Sequence, residues 1–108
     1  MSSNTIELKE ELQVYLPRLE KGLISILNKL KNGQEGPAFD LLTDAIEGLS
    51  WTITSLDIIN STIVDSDEFQ ETLETMLDAM ENRDIDTIAD VIEFELLDVI
   101  NDWADKLE

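Results

Sequence analysis

Apolar residues recur along this chain at steps of three and four. From about Thr5 to Lys31 the stripe is Leu8, Leu12, Tyr15, Leu19, Leu23, Ile26 and Leu30. On a wheel turning about 100° per residue these fall on one face, which predicts a long amphipathic helix. Pro17 lies inside the pattern. An interior proline removes one backbone hydrogen bond and kinks or breaks a helix. The stripe stays in phase across it, so a kink is expected and not a break. Asn32-Gly33 is the stop, with glycine free to take a left-handed conformation.

The loop NGQEGP leads to a second helix, with Pro37 suited to its first turn. Its stripe is Ala38, Leu42, Ala45, Leu49, Ile53, Leu56, Asn60 and Ile63, so the helix is expected to run to about Val64. At ~1.5 Å per residue both helices reach roughly 40 Å. Matched lengths and a short loop predict an antiparallel hairpin. DSDEFQ reads as a turn and cap, with Asp67 and Gln70 spaced as a capping box. A short third helix follows, about Glu68 to Glu81, with Phe69, Leu73, Met76, Leu77 and Met80 inward. NRD breaks it, and Asp84 is placed to cap a fourth. That helix runs to about Lys106 with Ile85, Ile88, Ala89, Ile92, Leu96, Val99, Ile100, Trp103 and Leu107 inward. No period-two pattern and no repeat intervenes. The expectation is an all-α antiparallel four-helix bundle of two long helices, one short and one medium, folding as one domain over residues 1–108.

Trp51, Ile58 and Phe94 are large apolar residues that fall off these stripes. With Ile85 at zero, Phe94 lies about 180° away, beside Asp90, Asp98, Asn101 and Asp105. On the second helix the core centres near 20°, while Trp51 lands near 220° and Ile58 near 200°. They are seven residues apart and share a side. The stretch SWTITSLDIINST around them carries one charge in thirteen residues. A helix apolar on two faces is usually covered on two faces. The cover here is a neighbouring helix of the same chain, a second copy, or another protein. Trp51, Ile58 and Phe94 are therefore the candidate interface residues, since aromatic side chains are favoured anchors.

Charge sharpens this picture. The net charge is −18. Residues 1–31 hold five basic and four acidic side chains, and residues 32–108 hold two basic and twenty-one acidic. The later surface repels nucleic acid and anionic lipid and attracts basic partners. The first segment is a candidate for electrostatic attachment to the rest.

Most site chemistry is missing. Without histidine the commonest general base and metal ligand are gone, and without cysteine so are thiolate nucleophiles and Cys-ligated zinc. Glu93 and Glu95 flank Phe94 but point about 160° apart on a helix. DIDTIADVIEFE has acids at loop positions 1, 3, 7 and 12 of a calcium loop. It places Ile88 and Ala89 where a ligand and a glycine are required, so it is rejected. Gly22, Gly33, Gly36 and Gly48 are too scattered to cradle phosphate. Gly22 and Gly48, inside predicted helices, either admit a close neighbour or weaken the helix.

No cofactor and no metal is expected. The sequence lacks a signal-peptide pattern and an apolar run of ~18 residues, so a cytoplasmic protein without a membrane role is expected. The leading functional reading is a non-enzymatic acidic interaction module (an adaptor, regulator or small chaperone) whose partner is itself, as a homodimer, or a protein with a basic surface. In size, charge and class it resembles secretion and flagellar chaperones. Two other readings stand beside it: an inhibitor that mimics nucleic acid to occupy a basic DNA-binding protein, and an enzyme using carboxylates, Lys9, Lys21 or Tyr15.

Overall fold

The computed structural model describes residues 3–108. Four helices and no strand are found among them. They are α1 (Ser3–Lys31), α2 (Glu35–Ile59), α3 (Ser66–Glu81), and a fourth helix in three continuous parts: α4 (Ile85–Val91), a π-helical turn (Ile92–Leu96) and α5 (Leu97–Leu107). The all-α helical bundle expected from the periodicity is the observed fold.

α1 passes through Pro17 without interruption. A proline in a helix interior costs about 3 kcal/mol. Leu12 and Leu16 before it and Leu19 and Leu23 after it are all buried in one core. Each buried leucine contributes roughly 1.5–3 kcal/mol, so four in phase outweigh the defect. Pro17 itself faces solvent.

α2 ends earlier than its periodicity predicts. It stops at Ile59, and Asn60 takes an extended backbone with φ −162°. The Asn60 side chain accepts from the Thr62 amide at 3.0 Å and the Thr62 hydroxyl at 2.7 Å. Asparagine thus offers the backbone a turn that competes with the helix. Asn60 is therefore exposed and not part of the core stripe, whereas Ile63 and Val64 turn back into the core from the loop. The cap of α3 also differs from expectation. Asp65, not Asp67, accepts from the Glu68 amide at 3.1 Å, and Gln70 contacts Glu74 instead of returning to the cap. Leu77, expected inward, is exposed, and Ala79 is buried in its place.

Two helix ends close with the same pair of backbone bonds. After α1, Gln34 N–H reaches Lys29 O at 2.8 Å and Gly33 N–H reaches Leu30 O at 3.2 Å. After α3, Asp84 N–H reaches Ala79 O at 2.8 Å and Arg83 N–H reaches Met80 O at 3.2 Å. This closure needs a left-handed residue, normally glycine. Gly33 has φ 77°, but the second position is Arg83 with φ 51°. Its guanidinium lies 5.1 Å from the centre of the Phe39 ring, so the turn is docked on the start of α2.

α1 is the central element. Its backbone lies close to α2 on one side and to α4, the π turn and α5 on the other, while α3 packs on α4. Lys31 pairs with Glu93, and Gln13 donates to the Leu107 carbonyl, so α1 and the fourth helix run antiparallel. The Lys31–Glu93 contact is 3.8 Å and exposed. Such a pair contributes at most about 1 kcal/mol, so charge is not what attaches the first segment.

Asp84 caps α4, as expected. It accepts from the Thr87 amide at 3.3 Å and the Thr87 hydroxyl at 2.6 Å. The Thr87 hydroxyl, then its amide, hold the carboxylate below its ordinary 3.8. A depressed carboxylate stabilises the fold above its unfolded pKa and ceases to as pH falls through the folded value. Asp84→Ala is therefore expected to destabilise the protein at neutral pH. The difference from wild type should shrink only below about pH 4. Urea unfolding of both proteins between pH 7 and pH 3 checks this. A difference that is constant with pH would exclude the ionised cap.

Candidate functional site

Trp51 stands on the side of α2 that faces α1. Its ring meets Tyr15 edge-on, with centroids 5.3 Å apart and planes at 87°. Such pairs add about 0.5–1.5 kcal/mol beyond burial. Tyr15 can lie there because Gly48 has no side chain. A Cβ at Gly48 would overlap the Tyr15 hydroxyl, whereas one at Gly22 would meet open space. Of the three helical glycines, Gly22, Gly36 and Gly48, only Gly48 admits a close neighbour. Burial raises the Tyr15 pKa above its ordinary 10.0, so the ring stays neutral at physiological pH.

Tyr15 covers Trp51 only in part, leaving it 40% exposed. Seven residues on, Ile58 is 64% exposed. Val14 of α1, at 58% exposure, lines the same shallow depression as Trp51, Tyr15 and Arg18. Ile58 lines an adjoining depression with Leu8, and Glu11 borders both. Val14 and Trp51 in one depression and Ile58 in the next thus form an apolar strip, interrupted at Glu11, along the α1–α2 hairpin. Val14 was legible by the same wheel, where it lies about 200° from Leu12.

Phe94 belongs to a different surface. It sits in the π turn, where the Leu97 amide bonds to the Ile92 carbonyl five residues back. Ile92, Leu96 and Ile100 are all buried at successive steps of four. An uninterrupted α-helix drifts about 40° over each such step, and the wider π turn takes up drift. Phe94 is 65% exposed. It lines a groove between the fourth helix and the start of α3, with Phe69, Val99 and Trp103, and with Glu95 and Asp98 beside it in the same lining. Glu93 and Glu95 diverge as the wheel predicts: Glu93 reaches Lys31 of α1, and Glu95 reaches the Thr72 hydroxyl of α3 at 3.5 Å.

Among the described residues no three carboxylates converge to hold a metal ion. No helix there is long and apolar enough to cross a membrane. The assembled features define an acidic all-α helical bundle with two uncovered apolar surfaces. Residues 7–106 match the family model of a domain of unknown function, DUF8042, and the chain belongs to that family. No curated protein and no solved structure matches the chain.

The Tyr15–Gly48 contact makes a sharp prediction. In an ordinary helix interior, Gly→Ala stabilises by about 1 kcal/mol. Here the new methyl group must displace the Tyr15 ring, and overpacking costs about 1–3 kcal/mol. Gly48→Ala should therefore be neutral or destabilising in wild type and clearly less unfavourable once Tyr15→Phe has removed the hydroxyl, the ring carbon behind it remaining 3.1 Å away. Urea unfolding of the four proteins in this double-mutant cycle measures the coupling. Equal stabilisation in both backgrounds would contradict the contact.

Proposed function

We propose that this protein is a non-enzymatic interaction module, an adaptor, regulator or small chaperone, that associates with itself as a homodimer through Val14, Trp51 and Ile58. The observation that carries the reading is the uncovered apolar strip on the α1–α2 hairpin. Its charge setting argues for a second copy as the occupant. Two chains of net charge −18 repel each other wherever their acidic surfaces meet. Residues 1–31 are the near-neutral part, and residues 50–62 carry only Asp57. The strip itself is bordered by Glu7, Glu10 and Glu11 against Arg18, so two copies meet here at lower electrostatic cost than across the more acidic surface after residue 62. A two-fold contact is self-complementary. It can set Arg18 of one copy against Glu10 or Glu11 of the other, since all three border the strip. The absence of cysteine suits a reducing compartment, and the proposal is of a cytoplasmic protein.

The strongly acidic second part of the chain favours one further reading, a nucleic-acid mimic that occupies a basic groove. Such a mimic binds basic proteins with steep salt dependence and without need of the apolar strip.

Light scattering after size exclusion, at about 0.15 M salt where the Debye length is near 8 Å, measures absolute mass. The expected result is twice the 12.2 kDa chain mass for wild type. The chain mass itself is expected for Ile58→Ser, whose exposed position leaves the core intact. A wild-type monomer at high concentration would sink the homodimer.

A further inference from the structure

The α3 hairpin is closed at its Asp84 end and splayed at the other. The α3 backbone lies close to α4 and diverges from α5. Side chains bridge the gap there, with the Phe69 and Trp103 rings 5.4 Å apart. Above them remains a groove of about 360 Å³. That is near the lower end of ligand-binding clefts, roughly 300–1,000 Å³. Its walls are apolar: Phe94 at the lip, then Val99 and Ile63. Its rim is acidic, with Asp65, Glu68, Glu95, Asp98 and Asp102. The one ammonium on the rim, Lys106, is held by Asp102 at 2.9 Å.

We propose that this groove docks a basic segment of a partner protein, which inserts apolar side chains against Phe94 and Val99 and sets lysine or arginine against the rim carboxylates. Charge complementarity selects this occupant. A second copy of the chain would bring a further net charge of −18 to an already acidic rim. A basic segment removes that repulsion and gains attraction at each rim carboxylate. The apolar walls provide the anchor, because exposed carboxylates alone do not fix register. The π turn brings Phe94 and Glu95 to the same groove, so that anchor and charge are adjacent. Turns of this kind recur at functional sites. The groove is separate from the Val14–Trp51–Ile58 strip, so docking here does not depend on self-association.

The test is an amide-shift titration of Ile58→Ser with a synthetic helical peptide of leucine and lysine. That background separates the result from the fate of the homodimer. The expected result is shifts centred on residues 63–72 and 94–103. Phe94→Ser and, separately, Asp98→Lys should each weaken binding by about tenfold. Both positions are exposed, so the variants should fold, which their thermal unfolding checks. Replacing the peptide's leucines by serine should also abolish the groove shifts. Absence of binding would overturn the proposal. So would shifts spread over all acidic surfaces and indifferent to Phe94→Ser, or shifts centred on Val14 and Trp51.

Discussion

Leu12, Leu16, Leu23 and Ile26 project from α1 into the core it shares with α2 and the fourth helix, and each is almost wholly removed from water. This apolar seam is what the remaining structure depends on. The chain carries a net charge of −18, and among the described residues only two ion pairs form, both exposed. Exposed pairs contribute little. Electrostatics therefore opposes this fold on balance, and apolar burial must exceed the repulsion. That explains why α1 tolerates Pro17, and why the least acidic segment is the one placed centrally.

The same balance shapes the surface. A bundle built around one central helix leaves α2 with α1 as its chief backbone neighbour. The outer flank of that hairpin keeps Val14, Trp51 and Ile58 in water. At the other end, α3 follows α4 and then parts from α5, which opens the groove at Phe94. The phenylalanine between two glutamates in DVIEFELLD is thus not a stray residue on a wet face. It stands where a π turn borders a cleft, with one glutamate tied towards α1 and the other towards α3. Each apolar surface has its own electrostatic setting, one mildly acidic with Arg18 beside it and one strongly acidic. The two are suited to different occupants.

Helix number, order and most core positions were legible because apolar spacing of three and four survives any arrangement of the helices. The misreadings have local causes. Asn60 continued the periodicity of α2, but its side chain captured the Thr62 amide and ended the helix. Asp65 and Asp67 are equivalent as capping residues by composition, and only the backbone path selects Asp65. Trp51 and Ile58 were visible as a second face. Their relation to Val14 needed the hairpin register, and the support of Trp51 by Tyr15 needed the contact at Gly48. The groove left no trace in the sequence, because it arises where α3 and α5 part in the tertiary packing. The left-handed Arg83 was equally hidden, since the Phe39 contact that accompanies it lies in a distant helix.

The central claim is that apolar burial along α1 holds the protein together against its own charge. Urea unfolding at low protein concentration, across sodium chloride from ~0.01 M to ~1 M, tests it most directly. Urea is uncharged, and over this range the Debye length falls from about 30 Å to about 3 Å. The account predicts a midpoint that rises steadily with salt at an unchanged slope. A midpoint that falls with salt would mean that ion pairs hold the fold, and would contradict it.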